Sequence, residues 1–110
     1  MGEQNSGLVI SGEVLAAIAV TAARDSEGVS ALVPHTGDVK QLLRQSGNQR
    51  FVKITGTETE LVLELWLRVK ANTKIADVAA EVQSNVKEAM QNMTGKTIAK
   101  VNLRIAGVDF

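Results

Sequence analysis

The 110-residue sequence contains no cysteine, which excludes disulfides, thiolate metal centres and thiol nucleophiles and is compatible with a reducing compartment. It has one histidine, His35, between Pro34 and the Thr36-Gly37-Asp38 group. A metal or acid-base site there needs further ligands or a base partner that this loop does not supply, so His35 reads as a surface-loop residue. The formal net charge is zero, so attraction to nucleic acid or an anionic membrane must come from local patches. No apolar run approaches the ~20 residues of a membrane span, and the N-terminus lacks a basic region followed by a hydrophobic one. There is no G-x-S-x-G elbow and no G-K-[ST] phosphate loop, and the close carboxylates Asp25/Glu27 and Glu58/Glu60 fall in turns where solvated charge is ordinary. Asn92-Met93-Thr94 spells a glycosylation sequon without secretory context, and Met1-Gly2 with Ser6 fits a short myristoylation pattern that a frayed end explains as well. These absences leave no catalytic, cofactor-binding or metal-ligating set, and no enzymatic activity is expected.

What remains is an ordinary globular composition, 45% hydrophobic and 22% charged, in a length that suits one domain. Residues 1–7 read as a polar, flexible lead and residues 8–110 as a single domain. Its organising stretch is Leu61 to Lys70. Leu61, Leu63, Leu65, Leu67 and Val69 alternate with Val62, Glu64, Trp66, Arg68 and Lys70, so a strand here buries one row and turns the other outward. Around it the pattern predicts a short strand at Leu8 to Ile10 and a helix from about Gly12 to Asp25. That helix is capped by Ser11, with Glu13 in its first turn and Val14, Leu15, Ile18, Ala19 and Ala22 on one face. Strands follow at Gly28 to Val33 and Phe51 to Thr55, the second forming a hairpin with the central strand, with a short helical or irregular excursion over 38–50 between them. A second helix spans about Ile75 to Asn92, with Asn72 or Thr73 as its cap and Gly95 as its left-handed stop. The last strand is Ile98 to Ile105. The fold class is α+β, with two helices on one face of a three- to four-stranded, mainly antiparallel sheet and the other face open.

The open face carries the one constellation of interest. Lys53, Arg68, Lys70, Lys100 and Arg104 should project from it beside Val62, Trp66, Phe51 and Asn102, with Glu64 as its only acid. Val62, Trp66, Arg68, Lys53, Lys100 and Arg104 are the candidate interaction residues. Three readings stand: a contact with protein, which exposed aromatics among charges favour; a platform for single-stranded RNA; and charges that merely keep an open sheet from aggregating.

The order Gly7-Leu-Val-Ile-Ser11, Glu13-Val14, Ile18-Ala19, Ala22-Ala23 and Glu27-Gly28-Val29 resembles the opening of the alkaline shock, or envelope stress response, family of small bacterial proteins. The second half is similar too, through Leu61-Val-Leu-Glu-Leu, Ile75, Asp77-Val78-Ala79, Val82-Gln83, Val86-Lys87, Met93-Thr94-Gly95, Val101-Asn102 and Gly107-Val108-Asp109-Phe110. The resemblance implies a non-enzymatic, self-associating protein of cell-envelope homeostasis, cytoplasmic and held at the inner face of the membrane by a membrane-anchored partner. It implies no catalytic, cofactor or metal residues. Two departures are the Ala71-Asn72 pair, where the family often has an aromatic residue and glycine, and the lack of a charged C-terminal extension. The expected function is a scaffold whose open face, centred on Trp66, binds another copy or a membrane-anchored protein; the alternative is a small RNA-binding module.

Overall fold

The computed structural model describes residues 11–35, 47–57 and 59–110. The expected Leu8 to Ile10 strand, the boundary after residue 7 and most of the 38–50 excursion lie outside them. In chain order the elements are α1 (Gly12–Arg24), β1 (Val29–Val33), a 3₁₀ turn (Gly47–Arg50), β2 (Val52–Gly56), β3 (Glu60–Lys70), α2 (Ile75–Thr94) and β4 (Thr97–Asp109).

β3 is the axis of the sheet. β4 runs parallel to it along its whole length, from Glu60 opposite Thr97 to Lys70 opposite Asp109. β2 pairs antiparallel with Leu61 to Leu65, and β1 antiparallel with Trp66 to Val69. Since β4 takes one entire edge of β3, β1 and β2 must lie end to end along the other, as two pieces of one interrupted strand. The interruption is closed at its base by the His35 amide, which donates to the Arg50 carbonyl at 2.8 Å. The single parallel pairing follows from connectivity, because α2 must carry the chain back across the sheet before β4 begins. β4 extends to Asp109, past the expected end at Ile105.

Both helices cover the same face. Leu63, Leu65, Leu67 and Val69 have no exposed surface and Leu61 almost none, as their alternation predicts. α1 begins at Ser11, whose Oγ accepts from the Val14 amide at 3.2 Å. It lies close to the sheet through Ala16, Ala19 and Ala23, with Leu15 and Val20 completing its buried face. This face is rotated from the expected one: Val14 is exposed, and Ile18 and Ala22 are only partly covered. From Val14 to Val20 the helix is apolar all round, so periodicity cannot select a face and the contact with sheet and α2 decides.

α2 buries Val78, Val82, Val86 and Met90, while Ile75, expected on the same stripe, is exposed. Neither Asn72 nor Thr73 caps it. Its N-cap is Lys74, which makes no side-chain capping bond, and the Thr73 hydroxyl donates instead to the Lys70 carbonyl at 2.6 Å. Asn72 adopts φ 65, the left-handed conformation that glycine takes readily and asparagine tolerates. An asparagine therefore meets a backbone demand that glycine would also satisfy. The helices are tied at one end by Ser26, whose Oγ donates to the Ala22 carbonyl and accepts from Asn85 Nδ2, each at 2.9 Å.

Replacing Leu65 with alanine removes a side chain with no exposed surface from the centre of this core. The change should cost about 2–5 kcal/mol, read as a lowered urea midpoint; a shift corresponding to less than about 1 kcal/mol contradicts the placement.

Candidate functional site

The open face is read row by row across the strands. The registers place Thr55, Val62 and Lys100 in one row, then Lys53, Glu64 and Asn102, then Val33, Trp66 and Arg104, then Ala31, Arg68 and Gly107. Trp66 thus stands near the middle, half-buried and facing away from the helices. His35 leans toward it from the base of the interrupted strand, with ring centroids 5.7 Å apart and planes inclined by 35°. Its Nε2–H donates to the Gln49 carbonyl at 3.1 Å. His35 is therefore part of this face rather than a simple loop residue. Ala31, Val33 and Val62 are half-buried and give the face an apolar strip around the indole. Phe51, expected to project outward here, packs against the core instead. It lies just before β2, where strand alternation has not yet begun.

The expected basic residues divide into two kinds. Lys53 and Lys100 are exposed. The two arginines are engaged by carboxylates: Arg104 Nε donates to Glu64 Oε2 at 2.8 Å, and Arg68 donates from Nε and Nη2 to Asp109 Oδ1 at 2.8 and 2.6 Å. The other carboxylate oxygen of Asp109 accepts from the Ser30 hydroxyl. One clasp therefore joins β1, β3 and β4.

Two irregularities in the sheet make this clasp possible. Pairing skips Ser30 in β1 and Ala106 in β4, and such bulges bend a strand and re-aim its side chains. The first frees Ser30 to reach Asp109; the second brings Gly107 opposite Arg68. A Cβ on Gly107 would lie 2.6 Å from Arg68 Nη1, so the guanidinium occupies space that a side chain at residue 107 would contest. The hydrogen bond from Arg68, with that from Ser30, holds the Asp109 carboxyl below its ordinary value, while Asp109 raises the Arg68 guanidinium above its own. Asp109, Ser30 and Gly107 were not among the residues predicted for this face, although Gly107-Val108-Asp109 belongs to the stretch that carries the family resemblance.

Elsewhere, Glu13 at the start of α1 holds the 3₁₀ turn. Its Oε1 accepts from the Asn48 amide at 3.1 Å and from Asn48 Nδ2 at 3.4 Å. A neighbouring cleft of about 380 Å³ is lined by Leu15, Ala16, His35, Gln49, Lys53 and Ile54 among others. Among the described residues no three His, Asp or Glu side chains gather closely enough to hold a metal ion, and no helix is long and apolar enough to cross a membrane.

The model of the alkaline shock protein 23 family, described by a cell envelope-related function, matches residues 1–110. The chain belongs to this family. Two proteins of Bacillus subtilis (strain 168) are similar to it: the uncharacterized protein YqhY, 29% identical over 103 residues covering 92% of this chain and 76% of that protein, and the uncharacterized protein YloU, 28% identical over 102 residues covering 90% and 85%. Among solved structures, the MamM-CTD of residues 215–293 superposes with a TM-score of 0.54 at 12% identity, covering 88% of this chain and 99% of that one. A substituted MamM CTD gives 0.53 at 15% identity, covering 86% and 93%. At such identities the likeness is one of fold. In this chain the clasp gives Gly107 and Asp109 distinct roles: the glycine leaves room for the arginine and the aspartate holds it.

The pH dependence of the clasp has a definite sign. Because the Asp109 pKa is lowered on folding, its contribution is complete above the unfolded carboxylate value of 3.8 and fades as pH falls through the lower folded value. Wild type should lose stability on acidification below that point more steeply than Asp109→Asn, as urea midpoints measured across this range report; parallel curves contradict the clasp.

Proposed function

We propose that this chain is a non-enzymatic scaffold of the bacterial cell envelope that self-associates and is recruited to the inner face of the membrane by docking its open sheet face on a membrane-anchored protein. The observation that carries this reading is Trp66, the chain's only tryptophan, half-buried at the middle of a sheet face that no helix among the described residues covers, with Val33, Val62 and Ala31 beside it. An indole in an apolar strip with a charged rim is the composition of a protein interface centre, where aromatic anchors dominate affinity. The cell envelope-related family supports the setting. The pairing of Arg68 and Arg104 with carboxylates argues against an RNA platform, since each phosphate contact would compete with an internal partner. Lys53 and Lys100 orient an acidic partner surface more than they bind it.

The test is sedimentation of purified protein with inverted membrane vesicles from a Gram-positive cell, with and without protease treatment of the vesicles. Wild type should co-sediment in a protease-sensitive manner, and Trp66→Ala, unchanged in circular dichroism, should bind roughly tenfold more weakly. Equal retention of the two proteins contradicts the proposal. Tight, salt-steep binding of single-stranded RNA in a parallel filter assay would transfer the same face to the alternative.

A further inference from the structure

β4 has one edge joined to β3 along its whole length, and no strand among the described residues lies along the other. Among the described residues it is also the longest strand, spanning Thr97–Asp109. Such an edge presents a row of backbone donors and acceptors to any strand that fits it. Proteins that avoid this hazard do so with prolines, short edges, bulges or charged side chains; β4 carries Lys100 and Arg104, the latter held by Glu64 Oε2 at 2.8 Å. β4 contains no proline, and its bulges, at Ala99 and Ala106, bracket an uninterrupted ladder from Lys100 to Ile105. Beside that ladder, on the helix side, Ile105 is 36% exposed and Leu103 is half-covered.

From these features we infer that the outer edge of β4 pairs antiparallel with β4 of a second copy, about a two-fold axis at Leu103. The inference takes from the proposed function only that the chain self-associates; it assigns the surface. A two-fold perpendicular to the sheet makes the two strands antiparallel, and each face of one strand must meet the same face of the other. With the axis at Leu103, residue positions sum to twice that number. Leu103 then faces the partner's Leu103, Val101 faces the partner's Ile105, and Asn102 faces the partner's Arg104. The helix side is apolar against apolar, and the outward side has no like charges opposed.

The neighbouring registers that keep the faces matched fail this criterion. An axis at Asn102 sets Lys100 against the partner's Arg104, and an axis at Arg104 sets that guanidinium against its own copy. Directly opposed like charges destabilise a strand pair. A slip of one residue sets apolar positions against charged ones. Self-complementarity of the strand thus selects both the occupant and the register. In the isolated chain Gln83 Nε2 donates to the Val101 carbonyl at 2.9 Å; Gln83 is exposed, and a carbonyl has room for a second donor. The dimer is a sheet of doubled width with both Trp66 faces on the same side, open to a membrane-bound partner.

The absence of cysteine permits a clean test by single substitution and mild oxidation of the full chain. Leu103→Cys should form a disulfide-linked dimer, since directly opposed residues bring their Cβ atoms to about 4.5–5.5 Å. Asn102→Cys and Arg104→Cys should cross-link weakly alone and efficiently when mixed. Cross-linking strongest for Asn102→Cys alone or Arg104→Cys alone, or absent from the whole set, overturns the assignment. An independent arm uses exposed position 102 and sedimentation velocity. Asn102→Lys, which sets a lysine against each arginine across the axis, should weaken dimerisation roughly fivefold, whereas Asn102→Asp should not weaken it. Equal dissociation constants for wild type and Asn102→Lys, or a wild type that stays monomeric, also overturn it. Trp66→Ala should leave these cross-links intact. Loss of the Leu103→Cys cross-link in the Trp66→Ala background would move self-association to the open face and refute the edge, whereas cross-linking that survives beside unaltered membrane retention would refute the docking face alone.

Discussion

Consecutive side chains of a strand face opposite ways, and in β3 that constraint governs everything else. Leu61, Leu63, Leu65, Leu67 and Val69 are enclosed beneath α1 and α2, so Val62, Glu64, Trp66, Arg68 and Lys70 are obliged to look outward. A one-residue slip would bury three charges and solvate five apolar side chains, an exchange no local rearrangement could offset. Among the described residues β3 is also the only strand with neighbours on both edges. It therefore fixes the register of the others, and with it which residues share a row on the exposed surface.

That surface is less basic than its composition suggests. Both arginines are held by carboxylates contributed from neighbouring strands, Glu64 from β3 and Asp109 from the end of β4. The Arg68 clasp is the more informative of the two because bulges at Ser30 and Ala106 and the bare backbone of Gly107 all converge on it. It joins three strands at the end of the sheet where β4 terminates. Both partners are well exposed, so its role is better described as alignment of the strand ends than as a large source of stability.

Much of this architecture was legible in the sequence. The alternation of Leu61 to Val69, the Ser11 cap, the Gly95 stop and the outward position of Trp66 follow from short-range patterns of strong physical origin, and each is found. What was not legible depends on contacts remote in sequence. The buried face of α1 was rotated because a helix apolar on every side has no preferred stripe. Phe51 turned inward because it precedes the pleat of β2. The Asp109 partnership joins residues 41 positions apart and depends on two bulges, which leave no mark in a binary pattern. Asn72 shows the converse: a residue that the backbone explains at once, since its φ of 65 lies in the left-handed region that asparagine enters more readily than other side chains.

The division of one strand into β1 and β2 has a consequence for engineering. Both pieces are held in place by β3, and the chain between them leaves and re-enters through a backbone clip from His35 to Arg50. Loop-closure entropy grows only slowly with loop length, so the registration of the sheet depends on those two anchors and little on the length of chain between them. For an engineer, an insertion between the anchors is therefore compatible with an intact sheet.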